Sequence, residues 1–173
     1  MAENRENLFK VWFDRHKNLI FKVVNIYAAL PEDKDDLFQE ILLQLWSSIP
    51  GFQGNAKETT WIYKVALNTA LVWKRKTDTR EKFGTKILET QQAPYVKNNR
   101  DELSQNKQIL DQVYDAVRQL PKSESSLVLL YLDGLSYEEM AEVLGISKNN
   151  IGVKLNRARK KLAQFLKGLI DDF

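Results

Sequence analysis

The sequence contains no cysteine and a single histidine, His16. The first absence excludes disulfides, thiolate metal sites and a cysteine nucleophile together. The second leaves too few imidazoles for a histidine metal site beside a catalytic triad. His16 itself lies among charged residues of a helical pattern, where a solvated or partly packed ring without a chemical role is expected. Glycine is scarce too, and the seven glycines form neither a GxxxxGK phosphate loop nor a GxGxxG turn, which speaks against a nucleotide-driven motor. No long apolar run is present, so no membrane insertion is expected. Met1 to Asn7 is polar and does not read as a secretory leader, which makes the cytoplasm the expected compartment. Nothing calls for a cofactor or a metal, and the lack of clustered carboxylates and of a nucleophile argues against an enzyme.

What the chain has is helical periodicity. Leu8, Val11, Trp12, Leu19, Ile20, Val23 and Tyr27 recur at spacings of three and four, predicting an amphipathic helix over 8–28. Leu37, Ile41, Leu42, Leu45 and Trp46 predict a second over 33–49, stopped by Pro50-Gly51. Ile62, Val65, Ala66, Thr69, Val72 and Trp73 predict a third over 60–76, with Trp73 and Trp61 expected in the core. These helices make a small bundle over residues 1–77. Residues 78–104 are poor in apolar side chains and read as a flexible linker. A coil of that length has a relaxed reach of roughly 30 Å and an extended limit of about 90 Å. Residues 105–173 resume the helical pattern, with Ile109, Leu110, Val113, Tyr114 and Val117 on one helix and Leu127, Leu130 and Tyr131 on the next. The expected fold is therefore all-α, two small helical domains joined by a linker.

The most specific local signal is in the second domain. Ser136-Tyr137-Glu138-Glu139 is a capping box opening a short helix with Met140, Ala141, Val143 and Leu144. Gly145 ends that helix, Ser147 caps another, and Ile151, Leu155, Ala158 and Leu162 form the buried stripe of the second. Small Ala141 at the crossing, Gly145 at the turn and Ile151 packing back fit a DNA-binding helix-turn-helix. An ordinary helical hairpin has no need of the second helix's surface, which carries Lys148, Lys154, Arg157, Arg159, Lys160 and Lys161 and no acid from Ile146 to Ile170. Its cations supply sequence-blind phosphate affinity, while the ridge of Lys148, Asn149, Gly152, Val153, Asn156 and Arg157 faces the groove. Asn156 suits adenine and Arg157 guanine or phosphate, each good base contact being worth about 1–3 kcal/mol. Lys160 either joins the phosphate contacts or is simply solvated. Gly152 costs its helix about 1 kcal/mol relative to alanine. Close approach of DNA and an undemanding solvent-facing position both account for it.

The first domain carries two different faces. Asp36, Gln39 and Glu40, within an acid-rich stretch from Glu32, share one side of the second helix. Such a face suits a basic protein surface rather than phosphates, although solubility and favourable charge at a helix N-terminus explain the acids equally well. On the third helix Trp61, Lys64, Asn68, Leu71 and Arg75 follow at spacings of three and four. Aromatics beside cations suit single-stranded nucleic acid, with bases stacking at about 1–3 kcal/mol each. Phe52, Asn55 and Asn68 are candidates to surround a base drawn from its stack.

The order of these features resembles the extracytoplasmic-function (ECF) group of bacterial sigma factors over nearly the entire chain. Asp36-Leu37-Phe38-Gln39-Glu40 resembles the DLxQE element that grips the clamp helices of the largest polymerase subunit. Phe52-Gln53-Gly54 followed by Thr60-Trp61-Ile62-Tyr63-Lys64-Val65-Ala66-Leu67-Asn68 is similar to the FxG…TWLYxIAxN signature of promoter melting. Gly134-Leu135-Ser136-Tyr137-Glu138-Glu139-Met140-Ala141 and Asn156-Arg157-Ala158-Arg159 are similar to the region that binds the −35 element. The resemblance implies that Asp36, Leu37, Gln39 and Glu40 contact core polymerase and that Phe52, Asn55 and Asn68 cradle a flipped base of the −10 element, flanked by Trp61, Lys64 and Arg75. It further implies that Gly152, Val153, Asn156 and Arg157 face the −35 element. Many relatives carry a basic residue and a serine where this chain has Gly152 and Val153. Promoter DNA, core polymerase and an inhibitory anti-sigma factor are the implied partners, with a monomer expected when free.

Opening about ten base-pair steps at about 1.4 kcal/mol each asks for roughly 14 kcal/mol. No motif here couples to nucleotide hydrolysis, so binding energy from polymerase must supply it. The competing reading is a conventional helix-turn-helix regulator that binds duplex DNA as a dimer.

Overall fold

The computed structural model describes residues 2–83 and 101–171, with side chains described over 4–83 and 106–168. Among the described residues there are seven α-helices and no strand. In chain order they are α1 (Ala2–Tyr27), α2 (Pro31–Ser48), α3 (Glu58–Phe83), α4 (Asp101–Gln119), α5 (Lys122–Leu132), α6 (Tyr137–Leu144) and α7 (Lys148–Asp171), with a 3-10 turn at Ile49–Gly51. No helix among them is long and apolar enough to cross a membrane.

Pro31 opens α2 at a position where a missing N–H costs nothing, and its acids Glu32 and Asp33 complement the helix dipole there. The 3-10 turn that follows is closed by the Phe52 N–H donating to the Ile49 carbonyl at 3.0 Å. α3 runs past its predicted end at Lys76 to Phe83. An i,i+4 pair of Lys74 with Asp78 and the chain of good helix formers around Arg80 carry the added turns. Residues 78–83 and 101–104, expected in the linker, are thus helical, while 84–100 lies outside the described residues.

α1, α2 and α3 pack pairwise around Trp12, Ile20, Leu37, Ile41, Ile62 and Ala66, all fully buried. Aromatic edges knit this half together: Trp12 meets Phe52 at 4.9 Å and Phe9 meets Trp46 at 5.4 Å between ring centroids. α5, α6 and α7 enclose Leu127, Leu130, Met140, Ile151 and Ala158. The second half of α4 joins them through Ala116 and Val117, with Leu120 just past its end. Ile109 and Leu110, predicted on its buried face, are exposed because the packed neighbours of α4 lie beside its C-terminal turns. Val11 is likewise exposed. The buried cluster is continuous across the two halves, since α1 packs on α4 and α5 and α3 packs on α6.

Candidate nucleic-acid and polymerase surfaces

The helix-turn-helix is built by its caps. Ser136 Oγ accepts from the Glu139 N–H at 3.1 Å, and the Glu139 carboxylate accepts from the Ser136 N–H at 2.8 Å, which completes the capping box. Gly145 adopts φ 66°, a left-handed conformation that costs other residues about 1–2 kcal/mol. Ser147 then caps α7 by accepting from the Asn150 N–H. Met140, Ile151, Leu155 and Ala158 are buried where the two helices cross.

On α7 the ridge of Lys148, Asn149, Val153, Asn156 and Arg157 is exposed or nearly so, together with Lys160. Lys148 pairs with Glu138, which holds that carboxyl below its ordinary value. Gly152 departs from the solvent-facing expectation: it is half-buried, and a Cβ there meets Cε2 of Tyr137 at 3.6 Å. Besides Lys148, two more of the cations counted toward the DNA surface have structural ties. Lys161 donates to both Glu124 oxygens at 2.9 Å, and Arg159 stacks its guanidinium over Tyr131.

In the first half, Phe52, Asn55, Trp61 and Lys64 line one concavity of about 250 Å³. Phe52 is its wall rather than a free platform, because its ring is wedged between Trp12 and Trp61, the latter at 5.5 Å. The Trp61 indole N–H donates to Ser48 Oγ at 3.3 Å, which fixes the plane of that ring. Trp61 is partly buried: it packs against the core cluster, as its spacing suggests, and also lines the concavity. Asn55 and Lys64 are exposed at the rim. Asn68, expected beside Phe52 and Asn55, lines a different groove one helical turn along α3, and Arg75 is exposed outside both. Glu142 of α6 completes the lining of the aromatic concavity, a residue that sequence reasoning did not single out.

The second groove, about 470 Å³, runs between α2 and α3 with Asp36 and Glu40 on one wall and Asn68, Trp73, Lys76 and Arg80 on the other. Asp36 accepts from the Trp73 indole N–H at 2.8 Å, so Trp73, which packs partly buried against the core cluster as its spacing predicts, also braces this groove. Glu40 accepts from Gln44 at 3.1 Å, and Gln39 is exposed. Leu37 is fully buried and does not belong to this surface; it anchors α2 from behind. Nearby, burial and the adjacent acids Glu32 and Glu81 raise the carboxyl of Asp33. Among the described residues no group of three or more histidine or acidic side chains is placed to hold a metal ion.

Residues 12–80 match the family described as sigma-70 region 2, and residues 110–162 match sigma-70, region 4. The ECF RNA polymerase sigma factor SigX of Bacillus subtilis is 24% identical over 170 residues, covering 96% of this chain and 88% of the relative. The ECF RNA polymerase sigma-E factor of Haemophilus influenzae is 25% identical over 177 residues, covering 98% and 93%. Among solved structures, CnrH in complex with the cytosolic domain of CnrY superposes with a TM-score of 0.67 at 19% identity over 94% of this chain and 90% of that one. The sigma factor RpoE of Bartonella quintana, in complex with the anti-sigma factor NepR, gives 0.65 at 19% identity over 96% and 98%. Region 2 and region 4 on one chain leave no support for the dimeric-regulator alternative. With relatives that parallel it from end to end, this chain belongs to the sigma-70 family and, within it, to the ECF group of RNA polymerase sigma factors.

Proposed function

We propose that this sigma factor binds core RNA polymerase through Asp36, Gln39 and Glu40, holds a displaced −10 base in the concavity of Phe52, Asn55, Trp61 and Lys64, and reads the −35 element with α7. The observation that carries the reading is the pairing of an acidic wall on α2 with an aromatic pocket formed by α3 and the loop before it, on the same three-helix unit. Polymerase binding at the acids is then mechanically joined to base capture. Asn68 and Arg75, outside the pocket, serve the backbone of the same strand. Lys148, Asn149, Asn156, Arg157 and Lys160 meet the −35 duplex, and Gly152 and Val153 set how closely α7 approaches it. The division drawn at residues 77 and 105 into two DNA-reading domains and a tether moves outward to the end of α3 at residue 83 and the start of α4 at residue 101, in keeping with family matches that end at residue 80 and resume at residue 110.

The protein acts in the cytoplasm as a monomer that performs no chemistry of its own and lends promoter choice to polymerase. CnrH and RpoE were each solved with a named partner. By the same logic an anti-sigma factor is expected to hold this chain inactive. The test is run-off transcription: core polymerase with this protein starts at promoters that core alone ignores. Asp36→Arg or Glu40→Arg is expected to weaken binding to core polymerase while leaving thermal unfolding in place. Unchanged affinity in both variants removes the acid wall from the polymerase interface.

A further inference from the structure

Several carboxylates of this chain are neutralised at home: Glu58 pairs with Arg15, Glu124 with Lys161, Asp133 with Lys22 and Glu138 with Lys148. Asp36 and Glu40 are held differently. Asp36 Oδ2 accepts from the Trp73 indole N–H at 2.8 Å, and Glu40 Oε1 accepts from the Gln44 amide at 3.1 Å. Both donors are neutral, so each carboxylate is steadied without losing its charge. Lys76 and Arg80 lie across the same groove, yet among the described residues neither forms an ion pair with these acids. The arrangement is unfavourable for the helix, because Asp36 and Glu40 stand four residues apart on one face of α2, where like charges repel. The two hydrogen bonds add little stability, since at an exposed site water offers a carboxylate the same donors.

What they do supply is position. A free aspartate samples several rotamers, and a partner that binds it has to stop that motion. The donor that stops it here comes from another helix: Trp73 belongs to α3, packs partly buried against the core cluster, and so presents a fixed N–H to α2. Gln44 is exposed and shares its helix with Glu40, so its hold is the looser of the two. We propose that Trp73 is a positioning residue for polymerase binding, acting through Asp36, whose carboxylate it keeps charged and preset for a cation of the partner. This rests on the assignment of Asp36 to the polymerase interface. Each carboxylate oxygen has two acceptor sites, so the indole leaves room for an incoming guanidinium or ammonium group. A lysine or arginine in place of the indole would hold the carboxylate as well but would cancel the charge that the partner meets. Gln44 acts on Glu40 in the same sense and more weakly. Presetting one side chain corresponds to about 2–10-fold in affinity.

The hold itself is tested by nuclear magnetic resonance on the full-length chain. Its four tryptophans give four indole N–H resonances. Trp73→Phe identifies one of them by its loss, and Asp36→Ala is expected to shift that resonance more than the rest. An unmoved resonance overturns the proposal. The effect of the hold is tested by equilibrium titration of core polymerase with the full-length chain at one low salt concentration. Trp73→Phe is expected to weaken binding about 2–10-fold, and Asp36→Ala at least as much. The double variant should bind no more weakly than Asp36→Ala alone, because the indole then has nothing to hold. A ring that merely supports the fold, or that touches polymerase directly, would weaken binding equally in both backgrounds, and such additive losses overturn the proposal. A loss in Asp36→Ala with none in Trp73→Phe also overturns it and leaves the polymerase assignment standing. No loss in Asp36→Ala takes Asp36 out of the interface, and the assignment and the proposal then fall together.

Discussion

The helix-turn-helix of α6 and α7 is held by devices that span a few residues: a reciprocal capping box at Ser136, a left-handed glycine at 145 and a cap at Ser147. The three-helix unit of α1 to α3 is held by contacts between residues far apart, with Phe52 wedged between Trp12 and Trp61, Arg5 over the Trp46 ring, and Trp73 tied to Asp36. A local device contributes about 1 kcal/mol and fails alone. A long-range aromatic contact is shared by several helices, so its loss spreads through the unit. The comparison predicts that single substitutions in the first half cost more than those in the second.

The largest expected effect is Trp12→Ala. The ring is fully buried, and truncating a buried tryptophan costs about 3–5 kcal/mol. Denaturant unfolding should show that loss, and a cost below about 1 kcal/mol would erase the contrast between the halves.

Next comes alkaline pH, which probes the seam between them. Burial, followed by the hydrogen bond and charge of Asp133, raises the Tyr63 hydroxyl above its ordinary value of 10.0. Its contribution is fully present below pH 10 and is lost as pH climbs above it, because the unfolded tyrosine ionises there and the folded one does not. Lys122, lowered by burial, works in the opposite sense. The measurement is therefore the difference between the unaltered chain and Tyr63→Phe in melts from pH 8.5 to 11. Tyr63→Phe should lose less stability over that range, and parallel curves would show that Tyr63 does not sense the seam.

Ser136→Ala removes one side of the capping box and should cost about 1 kcal/mol in thermal unfolding. The same locality explains what was legible in the sequence. Ser136, Glu139, Gly145 and Ser147 are read from neighbours three residues apart, and the helix-turn-helix they imply stands as expected. Periodicity also found the helices of the first half, and Leu37, Ile41 and Ile62 are buried as their spacing requires. It gives faces, however, and not which face meets which. Tyr63 and Leu67 are buried off the main stripe of α3 because α6 covers a second side of that helix, a contact between residues that no spacing rule connects. Trp73 does both: its ring packs partly buried against the core, as spacing shows, while its N–H reaches Asp36 across the groove, a partner that spacing does not show. The division of Asn68 from Phe52 and Asn55 into two grooves follows from one turn of α3, a difference of about 5 Å that residue order does not resolve.

The smallest effect tests the recognition helix itself. Gly152 lies within α7, where alanine is favoured by up to about 1 kcal/mol. A Cβ at this position meets Tyr137 at 3.6 Å, which is ordinary contact and requires no rearrangement. Gly152→Ala should therefore raise the midpoint of thermal unfolding slightly. If the glycine serves close approach to DNA, the same methyl group stands between α7 and the groove, and run-off transcription falls while stability rises. If it serves nothing but tolerance, transcription is unchanged. Opposite signs in the two measurements would place Gly152 in the −35 interface. A fall in both would instead show that the Tyr137 ring cannot accept even one methyl group, and that α6 and α7 pack more tightly at the reading helix than their caps alone require.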